Sequence, residues 1–127
     1  MKISQLTRRD IVDGLLLSGE PFYGRLDLIS FLKRVWPLKS MPSTDYRVKD
    51  AEGDIWQHMV RNSDWNDSEL LYNRLGITDI PDEQFAQFLE TCVRPLVLPD
   101  SPDEVAQMVV WFNDALHRDG FTILDEV

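Results

Sequence analysis

The sequence predicts a mainly α fold, a compact bundle of about five helices with room for a short C-terminal strand or small hairpin. Three observations predict it. Apolar residues recur at three- and four-residue spacing in separate segments, turn formers divide those segments, and FTIL at the end can close the domain as a short strand. With 127 residues, 43% of them hydrophobic, the chain can bury one core, so one domain over residues 1–127 is expected.

Thr7 and Asp10 have the spacing of a capping box, with Asp in place of the stronger Glu, and Ile11, Val12, Leu15 and Leu16 form a stripe that ends before Gly19. GEPFYG is a turn. In RLDLISFLKRVWPL apolar residues return at Leu28, Phe31, Leu32 and Val35, with Trp36 at the edge and Pro37 as the stop. The first two helices are expected to pack as a hairpin. A third helix is expected from about Asp50 to Arg61. Ile55, Trp56, Met59 and Val60 fall on one side of it, and Asp50, Asp54, His58 and Arg61 on the other. Gly53 weakens such a helix by about 1 kcal/mol relative to Ala. NSDWNDSELLYNRLGITDIPDE reads as a loop or one short helix or strand.

A fourth helix is expected from about Pro81 to Leu96, with Asp82 and Glu83 in its first turn and an apolar face at Phe85, Phe88, Leu89, Cys92, Val93 and Leu96. Cys92 is thereby a small core residue. Ser101 can cap a fifth helix, Pro102 takes its first position, and Val105, Met108, Val109, Phe112, Ala115 and Leu116 give the buried stripe up to the stop at Gly120. Trp36, Trp56 and Trp111 lie on or beside apolar faces and are expected in the core. Trp65, among the polar residues of SDWND, can anchor its loop, stack on a base or sugar, or meet a partner protein.

Charge narrows the partners. The net charge is -9, and it is uneven: residues 1–50 hold nine Lys or Arg against six Asp or Glu, whereas residues 51–127 hold four against sixteen. Broad binding to nucleic acid is opposed, and an anionic ligand should meet the N-terminal half. The single cysteine excludes an internal disulfide and fits a reducing cytoplasm. No apolar run approaches the roughly 18 to 20 residues that span a membrane, and Asp10 and Asp13 interrupt any secretory pattern.

Polar chemistry concentrates in SMPSTDYRVKDAEGDIWQHMVRN, residues 40–62. Asp54 and His58 are four apart, so a carboxylate can orient an imidazole as a base, or the two can form a surface ion pair. Asp50, Asp54 and His58 offer metal-ligand types, but without HExxH, CxxC or a second histidine nearby no metal is expected. His117, at the end of another helix, can simply face its last carbonyls. No P-loop, GxGxxG or GxSxG occurs, and no cofactor is implied. Arg25 after the GEPFYG turn and Arg47 after STD can together grip a phosphate or carboxylate, with Ser43 and Thr44 adding donors. Alternatively both arginines pair with Asp45, Asp50 or Asp54 and hold the loop.

The run FYGRLDLISFLKRVWPLKSMPSTDYRVKDAEGDIWQHMVRNSDW, with the fourth-helix segment and the ending DGFTILDE, resembles the third type of N-terminal domain of bacterial abortive-infection J-type proteins. The MPSTD, DIWQH and DW elements stand in the order of that family, and the likeness covers nearly the whole chain. It implies a role in anti-phage defence, as an accessory or sensing module before an effector such as a HEPN ribonuclease. The RxxxxH sequence of such nucleases is absent, so ribonuclease activity does not carry across. The positions that match the family are Arg25, Pro42, Ser43, Thr44, Asp45, Arg47, Asp54, His58, Asp64 and Trp65.

The expected function is a non-catalytic sensing or adaptor module that binds a phage protein, a nucleotide signal or its own effector. Arg25, Ser43, Thr44, Asp45, Arg47 and His58 would form the ligand surface, and Asp64 and Trp65 would meet a partner. Two alternatives stand beside it: a phosphoester hydrolase or nuclease using Asp54 and His58, and a purely structural oligomerisation or effector-docking domain. A homo-oligomer is compatible with each.

Overall fold

Ser4 begins the first helix in the computed structural model, which describes residues 2–94, 97 and 102–123. Its backbone is extended and its Oγ accepts the Thr7 amide at 3.2 Å, at the N-terminus of α1 (Gln5–Leu17). The cap therefore lies three residues before the expected Thr7, whose amide is the donor being satisfied. Asp119, from the far end of the described chain, accepts the Ser4 amide at 2.8 Å and ties the two ends together.

α1 buries Ile11, Val12 and Leu15 as its stripe requires, and it also buries Arg8 completely. Arg8 donates from Nε to the Ile3 carbonyl at 3.0 Å and from Nη1 to those of Ile77 and Ile80 at 3.2 and 2.5 Å. Its Nη2 reaches Asp82 at 2.8 Å, and the guanidinium lies over the Phe85 ring, 4.9 Å from its centroid. A buried cation is tolerable only when its donors are met and its charge is opposed. Burial works to raise the Asp82 carboxyl, but the Lys2 and Ile3 amides together with Arg8 outweigh it and hold the group below its ordinary range.

Asp27 caps α2 (Leu28–Leu32), accepting the Ser30 amide at 2.9 Å. This helix is shorter than the expected run to Pro37. The Arg34 and Val35 amides bond to carbonyls three residues back, at Phe31 and Leu32. Proline disfavours α conformation in the residue before it, so the chain tightens into turns ahead of Pro37. Val35 and Trp36 are still buried. The Phe88 ring packs against Phe22, Phe31 and Trp36 with centroids 5.9, 5.7 and 5.9 Å away, the last two edge-on, and this aromatic group centres the core.

Asp50 caps α3 (Ala51–Ile55), which continues as a π-helix over Trp56–Arg61. The span matches the expected third helix, but its faces do not. Ala51, Asp54 and Ile55 are buried, whereas Trp56, expected in the core, and Val60, on the same apolar side, are exposed. In a π-helix the hydrogen bonds reach one residue further along, so positions after Ile55 rotate away from the α register. The next segment, left open between loop, helix and strand, is helical. The Asn66 and Glu69 side chains cap each other's amides at 2.8 and 3.1 Å, and a π-helix over Glu69–Arg74 buries Leu70 and Leu71.

α4 (Asp82–Cys92) buries Phe85, Phe88, Leu89 and Cys92. It stops at Val93, short of Leu96, which lies outside the described residues. α5 (Pro102–Leu116) begins at the expected proline and buries Val109, Phe112 and Leu116, while its proposed cap, Ser101, also lies outside the described residues. Trp111 is exposed rather than a core residue. A 3₁₀ turn over His117–Asp119 ends at Gly120 in the left-handed conformation. No strand occurs among the described residues. Where FTIL was expected to form one, the backbone of Ile123 instead exchanges two hydrogen bonds with the Asn113 side chain, at 2.8 and 3.1 Å, while Leu124 is not described.

Candidate functional site

Asp54 is the centre of the polar region and has no solvent exposure. Its Oδ2 accepts from Thr44 Oγ1 at 2.8 Å, from the Thr44 amide at 3.4 Å and from Arg74 Nε at 2.9 Å. Arg74 donates in turn from Nη2 to the Pro42 carbonyl at 2.7 Å. One carboxylate thus pins the PST turn onto α3 from above, and one arginine locks it from the side. The cap at Asp50 sets where α3 starts and so aims Asp54 inward one turn later.

The other carboxylate oxygen, Oδ1, is buried without a hydrogen-bond partner and lies 3.8 Å from His58 Nε2. The second ring nitrogen, Nδ1, is 2.8 Å from Asp64. Trp65 stacks on the imidazole with centroids 4.2 Å apart and planes 12° off parallel. The chain reaches that arrangement by reversing at Ser63, whose φ of 52° is left-handed, after which the Asp64 and Trp65 amides both bond to the His58 carbonyl at 2.9 and 3.3 Å. Of the three roles open to Trp65, the geometry displays a loop anchored on a ring.

Arg47 is paired too. Its guanidinium bonds to both oxygens of Asp45, the Nη2 contact being 2.8 Å. That side chain, with the Arg47 amide, pulls the Asp45 carboxyl down to about 2, and Asp45 raises the Arg47 guanidinium in return. Ser43 closes a local turn by exchanging hydrogen bonds with the Asp45 backbone at 2.9 Å.

The structure therefore brings Thr44, Asp54, His58, Asp64 and Trp65 into one contiguous cluster, with Ser43, Asp45 and Arg47 on the turn above. Arg25 stands elsewhere in the described contacts: its amide bonds to the Val97 carbonyl at 3.2 Å, beside Gly24. Sequence reasoning missed Arg74, the counter-charge of Asp54. A requirement that any inward-facing carboxylate find a cation leads to it, but helical spacing puts Asp54 on the side opposite the apolar residues and does not show that this side faces inward. Among the described residues no three His, Cys, Asp or Glu side chains converge where a metal ion could be held, and no helix is long and apolar enough to cross a membrane.

Fold and site together define a small, mainly helical domain whose polar centre at Asp54 is internally paired. Residues 2–126 match AbiJ N-terminal domain 3, and the chain belongs to that family, which places it among the abortive-infection, anti-phage domains. No curated protein and no solved structure matched the chain.

Proposed function

We propose that the chain is a non-catalytic adaptor or sensing module of anti-phage defence, coupling recognition of a partner to an effector. The observation that supports this most directly is that the charged groups of the polar centre are engaged with one another. Asp54 is held by Thr44 and Arg74, His58 by Asp64 and Trp65, and Arg47 by Asp45. A general base must reach a substrate proton, and a phosphate clamp must offer an uncompensated cation. The pairing of Asp54 with Arg74 and of Arg47 with Asp45 works against both requirements. The same contacts give the turn carrying Tyr46, which is 97% exposed, a defined shape to present to a partner.

The hydrolase reading keeps one observation in its favour, the unpartnered Asp54 Oδ1 facing His58 Nε2. Turnover of a generic phosphodiester, bis-p-nitrophenyl phosphate, with magnesium, manganese or zinc separates the two. No His58-dependent hydrolysis is expected, while His58→Ala in the native protein should weaken protection in a phage-plaque assay. Hydrolysis lost in His58→Ala would overturn the adaptor reading.

A further inference from the structure

Asp54 Oδ1 is buried with no hydrogen-bond partner, and His58 Nε2 stands 3.8 Å from it. A hydrogen bond spans about 2.9 Å, so a ring shift of roughly 1 Å closes the gap. One proton decides whether it closes. A neutral imidazole carries a single N–H, whereas Nδ1 faces Asp64 at 2.8 Å and Nε2 faces Asp54. Whichever nitrogen holds that proton, the other turns a lone pair toward a carboxylate oxygen. With a second proton both nitrogens donate, Nδ1 to Asp64 and Nε2 to Asp54, and the buried oxygen gains its partner.

The groups around the ring come from several elements. Carboxylates approach from its own helix at Asp54, from the following loop at Asp64 and from the turn above at Asp45, whose carboxyl is lowered chiefly by Arg47 and further by the charge of His58. The cations are engaged or turned outward: Arg74 is bonded to Asp54 Oδ2, Arg47 to Asp45, and Arg61, further along the π-helix, is exposed. Trp65 stacks on the imidazole at 4.2 Å, and an aromatic face attracts a cation held within about 6 Å. Charging the ring therefore strengthens three contacts at once. The His58 side chain is 22% exposed, so its proton can exchange with solvent.

We propose that His58 is a proton-dependent latch: the charged imidazole bridges Asp54 and Asp64 and holds loop 63–65 on α3, and the neutral one loosens it. The charge of one ring thereby sets how firmly Asp64 and Trp65 are fixed at the surface.

The reporters are the Asp64 and Trp65 amides, both bonded to the His58 carbonyl. Their hydrogen-exchange protection, corrected for the intrinsic pH dependence of exchange, is measured by NMR on the full chain at about pH 5 and pH 8, the interval in which imidazole changes charge. Protection should be about tenfold higher at the lower pH, as hydrogen bonds with a charged donor imply. His58→Gln, which cannot take up a proton, should abolish the difference, and Asp64→Asn, at an exposed position, should reduce it. Asp67, two residues past Trp65, is raised from its ordinary value by burial, and the His58→Gln control separates its response from that of the ring. His117→Gln removes the other histidine and should leave the difference intact. Equal protection at both pH values overturns the proposal, as does a difference that survives in His58→Gln or vanishes in His117→Gln. If circular dichroism shows His58→Gln unfolded, the native ring decides: its Nε2 proton should give a slowly exchanging resonance at the lower pH, and rapid exchange of that proton with water overturns the latch. No partner or substrate enters the measurement, so His58-dependent hydrolysis would remove the adaptor reading and leave the latch standing.

Discussion

Asp54→Ala withdraws the only carboxylate bonded to Arg74 among the described contacts, while leaving that guanidinium, 13% exposed, beneath the PST turn. Breaking a buried ion pair by removing one partner costs about 3–5 kcal/mol, because the remaining charge is desolvated without compensation. Arg74 keeps its bond to the Pro42 carbonyl and some access to water, which argues for the lower end, about 3 kcal/mol. The Thr44 hydroxyl loses its acceptor as well, at about 1 kcal/mol. Against a typical total stability of about 5–15 kcal/mol this is a large fraction. With a urea dependence of about 1.5 kcal/mol/M, the unfolding midpoint should fall by about 2 M or somewhat more. Arg74→Met in the same chain should recover part of the loss, giving a coupling of at least about 1 kcal/mol. Hydrogen exchange should show the Thr44 amide losing protection in the single variant. A midpoint shift below about 0.5 M, or strictly additive single and double variants, would refute the view that this pair holds the turn.

Four further outcomes are expected. Gly24→Ala should cost about 1–3 kcal/mol in denaturant unfolding, because its φ of 56° is left-handed and the obstructing atom is backbone. Gly14→Ala should cost less than about 1 kcal/mol, since alanine gains a similar amount in a helix and the Trp111 ring can swing outward; oxidative footprinting should then find Trp111 more reactive, and an unchanged reactivity contradicts this. The Asp45 carboxyl, depressed to about 2 by Arg47 from its ordinary value of 3.8, contributes stability that is fully present above about pH 4 and is lost as pH falls toward 2. An NMR titration of Arg47→Gln should move that carboxyl back up, and no movement would assign the depression elsewhere. Burial raises the Cys92 thiol well above its ordinary value, so dithionitrobenzoate at pH 8 should leave it unmodified in the native chain and react with it fully in guanidinium. Stoichiometric reaction under native conditions would place the thiol in solvent.

Helical composition was legible because it is written locally. The stripes at Ile11, Val12 and Leu15, at Phe85, Phe88 and Leu89, and at Val109, Phe112 and Leu116 are buried as their spacing requires, and Pro102 and Gly120 punctuate the chain where a missing donor or a left-handed residue must. The neighbourhood of Asp54 and His58 was legible for the same reason, being four residues on one helix. Which way that helix faces was not. Asp54 can be buried only because Thr44 and Arg74 arrive from ten residues before and twenty after, and Arg8 only because Ile77, Ile80 and Asp82 lie seventy or so residues away. The π register beyond Ile55 and the reversal at Ser63 then set His58 against Asp64 and Trp65. By itself the sequence determined the elements and the apolar faces, since periodicity and capping act over a few residues. Only the tertiary structure decided which charges go inside, because the energy of a buried charge depends on partners that the fold, rather than chain proximity, delivers.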